Sequence, residues 1–72
     1  MPNYICNKNA DDKGRHEIHT DSCTHLPLPK NQLAIGYFSN CQEAINHMVR
    51  SNPDGNFNFD GCYYCCYACH KG

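Results

Sequence analysis

Gly61-Cys62-Tyr63-Tyr64-Cys65-Cys66-Tyr67-Ala68-Cys69-His70 holds four of the chain's seven cysteines in ten positions, as two abutting C-x2-C pairs with a histidine directly after. A C-x2-C turn lets two thiolates converge on one tetrahedral ion while the intervening backbone N–H groups point at the sulfurs. Two further donors are needed to close a four-coordinate site. The stretch therefore decides the fold: the remaining residues must form a scaffold that delivers a second ligand pair to it.

The chain has 72 residues, which reads as one metal-binding domain over 1–72. A core this small usually needs a metal, disulfides or a partner to hold it. An odd number of cysteines forbids complete internal pairing, and neighbours such as Cys65 and Cys66 suit ligation better than disulfide geometry. Five histidines point the same way. No Lys/Arg-led apolar leader opens the sequence, and no apolar run approaches the roughly 20 residues of a membrane span. The expectation is a reduced, cytoplasmic, metal-bound chain, monomeric or weakly dimeric and away from membranes, rather than a secreted disulfide scaffold. Six Lys and Arg stand against seven Asp and Glu, for a net charge of −1, and the basic residues are scattered. Phosphate backbones call for a basic stripe, which is not visible here.

From the N-terminus, Tyr4-Ile5-Cys6 reads as a short strand, Asp11-Asp12-Lys13-Gly14 as a turn and Arg15–Thr20 as the returning strand of a hairpin. His16 and Ile18 then share one face, and Glu17 and His19 the other. Pro27 and Pro29 make the stretch from Thr24 to Gln32 an extended connection. Leu33–Phe38 reads as a strand with Leu33, Ile35 and Tyr37 on one face, and Gly36 marks a bulge or the close packing of another backbone. Ser39-Asn40-Cys41-Gln42 matches a capping box with Ser39 as N-cap. Cys41, Ala44, Ile45, Met48 and Val49 follow as one apolar helical stripe, with His47 opposite in solvent. That stripe marks Cys41 as core rather than ligand. Asn52-Pro53 ends the helix, Pro53-Asp54-Gly55-Asn56 turns, and Asn56-Phe57-Asn58-Phe59 is a short strand or a loop with two aromatic anchors.

The second informative stretch is His19-Thr20-Asp21-Ser22-Cys23, an H-x3-C pair at the end of a strand, where a tight turn brings both donors to one ion. His25 is a less favoured substitute, more in keeping with an exposed loop. The residue types allow His19 and Cys23 to be joined by Cys62 and Cys65 or by Cys66 and Cys69, the remaining thiols either holding a second ion with His70 or standing spare. Four thiolates from Cys62, Cys65, Cys66 and Cys69 would equally suit an iron–sulfur cluster. A mixed N/S set closed by a histidine favours Zn2+.

His19 and Cys23, then Phe38-Ser39-Asn40-Cys41-Gln42-Glu43-Ala44, then Cys62 and Cys65 follow an order that resembles the Ada-type metal-binding domain of bacterial alkylation-repair proteins. The resemblance covers about residues 16–66. It implies a structural zinc held by His19, Cys23, Cys62 and Cys65. Three features depart from the family pattern: a longer segment from Asn52 to Asp60, Gly61 in place of the proline before the first cysteine, and the extra Cys66, Cys69 and His70. The family's methyl transfer from DNA phosphotriesters requires a basic DNA-facing surface and is not carried over.

The expected fold is α+β: a short antiparallel sheet of about three strands, one amphipathic helix and a C-terminal cysteine knuckle closed by zinc. The expected function is a binding module presenting Tyr63, Tyr64, Tyr67, Phe57 and Phe59 to a protein or a single-stranded nucleic acid. The alternative is thiol chemistry, in which extra cysteines act in redox exchange, metal sensing or methyl acceptance. No catalytic triad, phosphate loop or paired-carboxylate signature is recognisable. His16-Glu17-Ile18-His19 is not a helical H-E-x-x-H motif, because its second histidine comes one position early on a strand.

Overall fold

The structure, a computed structural model, describes residues 1–53 and 57–71. Asp11 sets the first reversal. Its Oδ1 accepts the backbone N–H groups of Lys13 and Arg15, each at 2.9 Å, and its carbonyl accepts that of Gly14 at 3.0 Å. Gly14 sits at φ +78°, a left-handed conformation that glycine adopts without a Cβ penalty. The turn joins β1 (Asn3–Asn7) to β2 (Arg15–Thr20) in an antiparallel hairpin, with Cys6 opposite Ile18 and Ile5 opposite His19.

After the proline-bearing connection, which tightens into one 3-10 turn at Pro29–Asn31, β3 (Gln32–Tyr37) pairs antiparallel with the free edge of β1. Tyr4 faces Gly36 and Ile5 faces Ala34, so Ile35 is the extra residue of a bulge, with Gly36 at φ +127°. The expected alternation of Leu33, Ile35 and Tyr37 therefore does not run through. Leu33 and Tyr37 are exposed, and only Ile35 packs on the core.

Helix α1 spans Cys41–Ser51. Its N-cap is Asn40 rather than Ser39: extended at φ −158°, Asn40 accepts the Glu43 N–H on Oδ1 at 2.9 Å. The cap is displaced by one residue, which puts Glu43 at N3, and Gln42 instead donates to Asn46 on the exposed side. Cys41, Ala44, Ile45 and Met48 are buried, whereas Val49 is 53% exposed. At 100° per residue, Val49 lies roughly 90° from the centre of the other four and falls off the stripe. His47 is half-buried against Phe38, with ring centroids 5.2 Å apart, rather than solvated.

The fourth strand, β4 (Asn58–Gly61), runs parallel to β2 in register His16–Phe59, Glu17–Asp60 and Ile18–Gly61. The sheet thus has four strands in the order β3-β1-β2-β4 and is mixed, where about three antiparallel strands were expected. A parallel neighbour requires a crossover connection, and β3 with α1 supplies it. Of the expected 53–56 turn, Asp54–Asn56 lie outside the described residues. Ile18, fully buried, belongs to one core cluster with Ala44, Ile45 and Met48 of the helix, with Tyr4 and Cys6, and with Cys62, Cys66 and Cys69 of the knuckle.

Candidate metal centre

Strand alternation sends Ile18 into the core and His19 to the opposite face, where it is 1% exposed. Beyond His19 the chain turns at once: the Cys23 N–H donates to the Thr20 carbonyl at 3.1 Å, and the Asp21 N–H donates to Asn3 at 2.9 Å. This returns the Cys23 thiol beside the His19 ring. From the other half, the Cys62 N–H donates to the Ile18 carbonyl at 3.0 Å and extends the β2–β4 ladder by one residue. The Cys66 N–H then closes on the Cys62 carbonyl at 2.8 Å, curling Cys62–Cys65 into a turn over the strand end.

These two turns bring one donor atom each from His19, Cys23, Cys62 and Cys65 within 4.8 Å of one another. Cys23 Sγ and Cys62 Sγ lie 3.9 Å apart, and Cys65 Sγ lies 3.8 Å from His19 Nδ1. A tetrahedral zinc with bonds of 2.3 Å to sulfur and 2.0–2.1 Å to nitrogen has S–S and S–N edges of about 3.8 and 3.6 Å. These two edges lie close to those values, and the four protein donors could together hold one metal ion.

The electrostatics agree. Burial, with a smaller contribution from His25, lowers the His19 pKa, which favours the neutral imidazole a cation needs. Burial chiefly, then hydrogen bonding with Cys23 and Cys62, pushes the Cys65 thiol up. Without a cation, crowded buried thiols resist ionisation; an ion supplies the missing positive charge. The backbone N–H of His25 points at Cys23 Sγ at 3.4 Å, a contact that stabilises thiolate charge.

The other candidate donors are placed elsewhere. Cys69 is disulfide-bonded to Cys41, across 28 residues of sequence. The second C-x2-C pair winds into a 3-10 turn at Tyr67–Cys69 that delivers Cys69 to the helix, so neither the Cys66/Cys69 alternative nor a four-thiolate cluster is assembled. Cys41 is indeed in the core, but as half of a cross-link, and this corrects the expectation that every thiol is reduced. Cys66 is buried and free, and burial pushes its thiol up. His70 Nδ1 donates to the Gly61 carbonyl at 3.0 Å and lies 3.8 Å from Asp60. His25 is exposed and stacks on Tyr64, with centroids 3.7 Å apart.

Two residues that sequence reading passed over support the site. Asp60, given no role by its sequence, is a buried strand residue whose Oδ1 accepts the Lys71 N–H at 2.7 Å while Oδ2 meets Arg15 at 3.4 Å. It fastens the chain after the knuckle to β4. Glu17 lies beside His19, and its only sequence signal is the two-residue spacing along one strand face.

The expected aromatic platform divides in two. Tyr63, Tyr64 and Tyr67 are exposed around the knuckle, with Tyr63 in edge contact with Tyr64, Tyr67 and His70. Phe57 and Phe59 instead stack on each other and meet His16 edge-on and at a tilt, lining an apolar cavity of about 140 Å³ with Cys6 and Met48. Burial holds the Cys6 thiol there at about 11, so it is an inert apolar group. Among the described residues, no helix is long and apolar enough to cross a membrane. The chain matches no protein-family profile, no curated protein and no solved structure.

Proposed function

We propose that the chain is a small zinc-binding module in which His19, Cys23, Cys62 and Cys65 hold one structural ion, and that the fold so secured serves as an interaction platform. The observation that carries the reading is the convergence of four donors, from turns some forty residues apart in sequence, to within 4.8 Å. All four corners are protein atoms, which leaves no open position for catalysis. The arrangement matches the ligand set implied by the Ada-type resemblance, which stays part of the proposal.

The exposed tyrosines are the surface offered to a protein or a nucleic acid. Three large rings, with Tyr63 in edge contact with both Tyr64 and Tyr67, present apolar area with a polar rim beside the knuckle. The thiol-chemistry alternative receives less support. Cys69 is already bonded, and burial raises the Cys66 pKa, the reverse of an activated thiolate.

Structural zinc contributes on the order of 10–16 kcal/mol in finger-like peptides, more than the whole stability of most small domains. Native mass spectrometry with elemental analysis is expected to give one zinc per chain and the two-hydrogen mass loss of a single disulfide. Chelation is then expected to abolish the cooperative melt. An unchanged melt after complete metal removal would refute the structural role.

A further inference from the structure

His19 has two ring nitrogens, and only Nδ1 is directed at the thiols. The other, Nε2, is the one buried side-chain nitrogen or oxygen among the described residues that lacks a hydrogen bond. An orphaned polar atom on a ring that is 1% exposed is costly unless something nearby answers it. Glu17 Oε1 lies 3.6 Å from that nitrogen, just beyond hydrogen-bond reach. The two residues share a strand face, so the β2 backbone itself sets the approach.

We propose that Glu17 is the positioning residue for His19: its carboxylate accepts the Nε2–H, fixing the tautomer that leaves Nδ1 free to bind the ion. The inference rests on the metal-binding reading of the same site. With Nδ1 committed to a cation, the ring proton must reside on Nε2, and this carboxylate is an acceptor held 3.6 Å from it. A shift of a few tenths of an ångström closes the 3.6 Å gap. Glu17 is suited to such a shift, because its side chain is 37% exposed. Across the β2–β4 pairing, its neighbour Asp60 is already engaged by Arg15 and the Lys71 N–H. Glu17 is therefore the carboxylate left for His19. Carboxylate–histidine–metal relays of this kind hold ring orientation and raise ligand basicity, and losing the outer partner typically weakens metal binding by about 10–100-fold.

The test compares wild type, Glu17→Ala and Glu17→Gln, all full-length, for zinc affinity by competition with a chromophoric chelator. Long-range 1H–15N spectra of the zinc-loaded proteins report the His19 tautomer. Wild type is expected to show Nε2 protonated and its proton protected from exchange. Glu17→Ala is expected to lose about 10–100-fold in affinity and that protection. Glu17→Gln keeps an acceptor oxygen but not the charge, and is expected to recover most of both. Equal losses in Gln and Ala would overturn the proposal, since charge and not the hydrogen bond would then be at work. Unchanged affinity and an unchanged Nε2–H signal in Glu17→Ala would overturn it while leaving the metal site standing. A wild-type protein that binds no zinc would overturn both.

Discussion

Replacing Gly61 with alanine tests whether the knuckle is seated as described. Gly61 ends β4, and the chain folds back over it. A Cβ at this position would fall onto the Cys66 carbonyl oxygen and lie 2.7 and 2.8 Å from the Cβ and carbonyl carbon of Cys69. Carbon atoms in good contact are about 3.5–4.0 Å apart, so the knuckle would have to retreat by roughly 0.8 Å or more. It cannot do so freely. Cys69 is bonded to Cys41 of the helix, and Cys62 and Cys65 are two of the four converging donors. Overpacking costs about 1–3 kcal/mol, with the upper part applying where backbone must move, and the stiffer unfolded chain returns about 0.4–1 kcal/mol. The net is about 2 kcal/mol, or about 30-fold in an equilibrium constant. For a chain of this size it lowers Tm by about 8–16 °C.

The assay is a thermal melt of the zinc-loaded protein with zinc affinity measured alongside, and Gly14→Ala as the comparison. Gly14 has a positive φ but open space around it, so alanine there meets backbone strain alone and leaves zinc affinity unchanged. A Gly61→Ala protein that melts and binds zinc like wild type would refute the packing of the knuckle on β4. A proline at this position would meet the same atoms of Cys66 and Cys69 with its Cβ.

The Cys41–Cys69 bond closes a loop of 28 residues, for which the chain-entropy relation gives about 3.6 kcal/mol. Paired Cys41→Ser and Cys69→Ser substitution is expected to lower denaturant stability by up to that amount while zinc stoichiometry stays at one, and loss of the zinc would mean that the bond also builds the site. At the helix start, Asn40→Ala is expected to cost about 1 kcal/mol in denaturant unfolding because it strips the Glu43 N–H of its acceptor. Ser39→Ala, one residue outside the cap, is expected to change little, and the reverse ranking would restore the cap to Ser39.

Local patterns were legible because their physics is local. The Asp11–Gly14 turn, the hairpin, the Gly36 bulge, the helix stripe and the two short ligand motifs each depend on residues within a few positions of one another. Small errors in these arose from equally local competition. Asn40 and Ser39 are comparable caps, and the helical angle that removes Val49 from the stripe is a matter of one residue.

Pairings between distant segments were not legible. Residue types alone left either C-x2-C pair free to join His19 and Cys23. The parallel docking of β4 on β2 carries Cys62 to the Ile18 carbonyl and thereby brings the first pair to His19. The disulfide depends on the same geometry, since Cys41 and Cys69 meet only once the helix lies on the sheet and the knuckle has turned back over Gly61. Sequence by itself determined that this chain carries convergent thiol and imidazole donors on a small α+β scaffold. Tertiary structure decided which donors converge, because loop closure over tens of residues is governed by strand pairing and packing, which no short motif encodes.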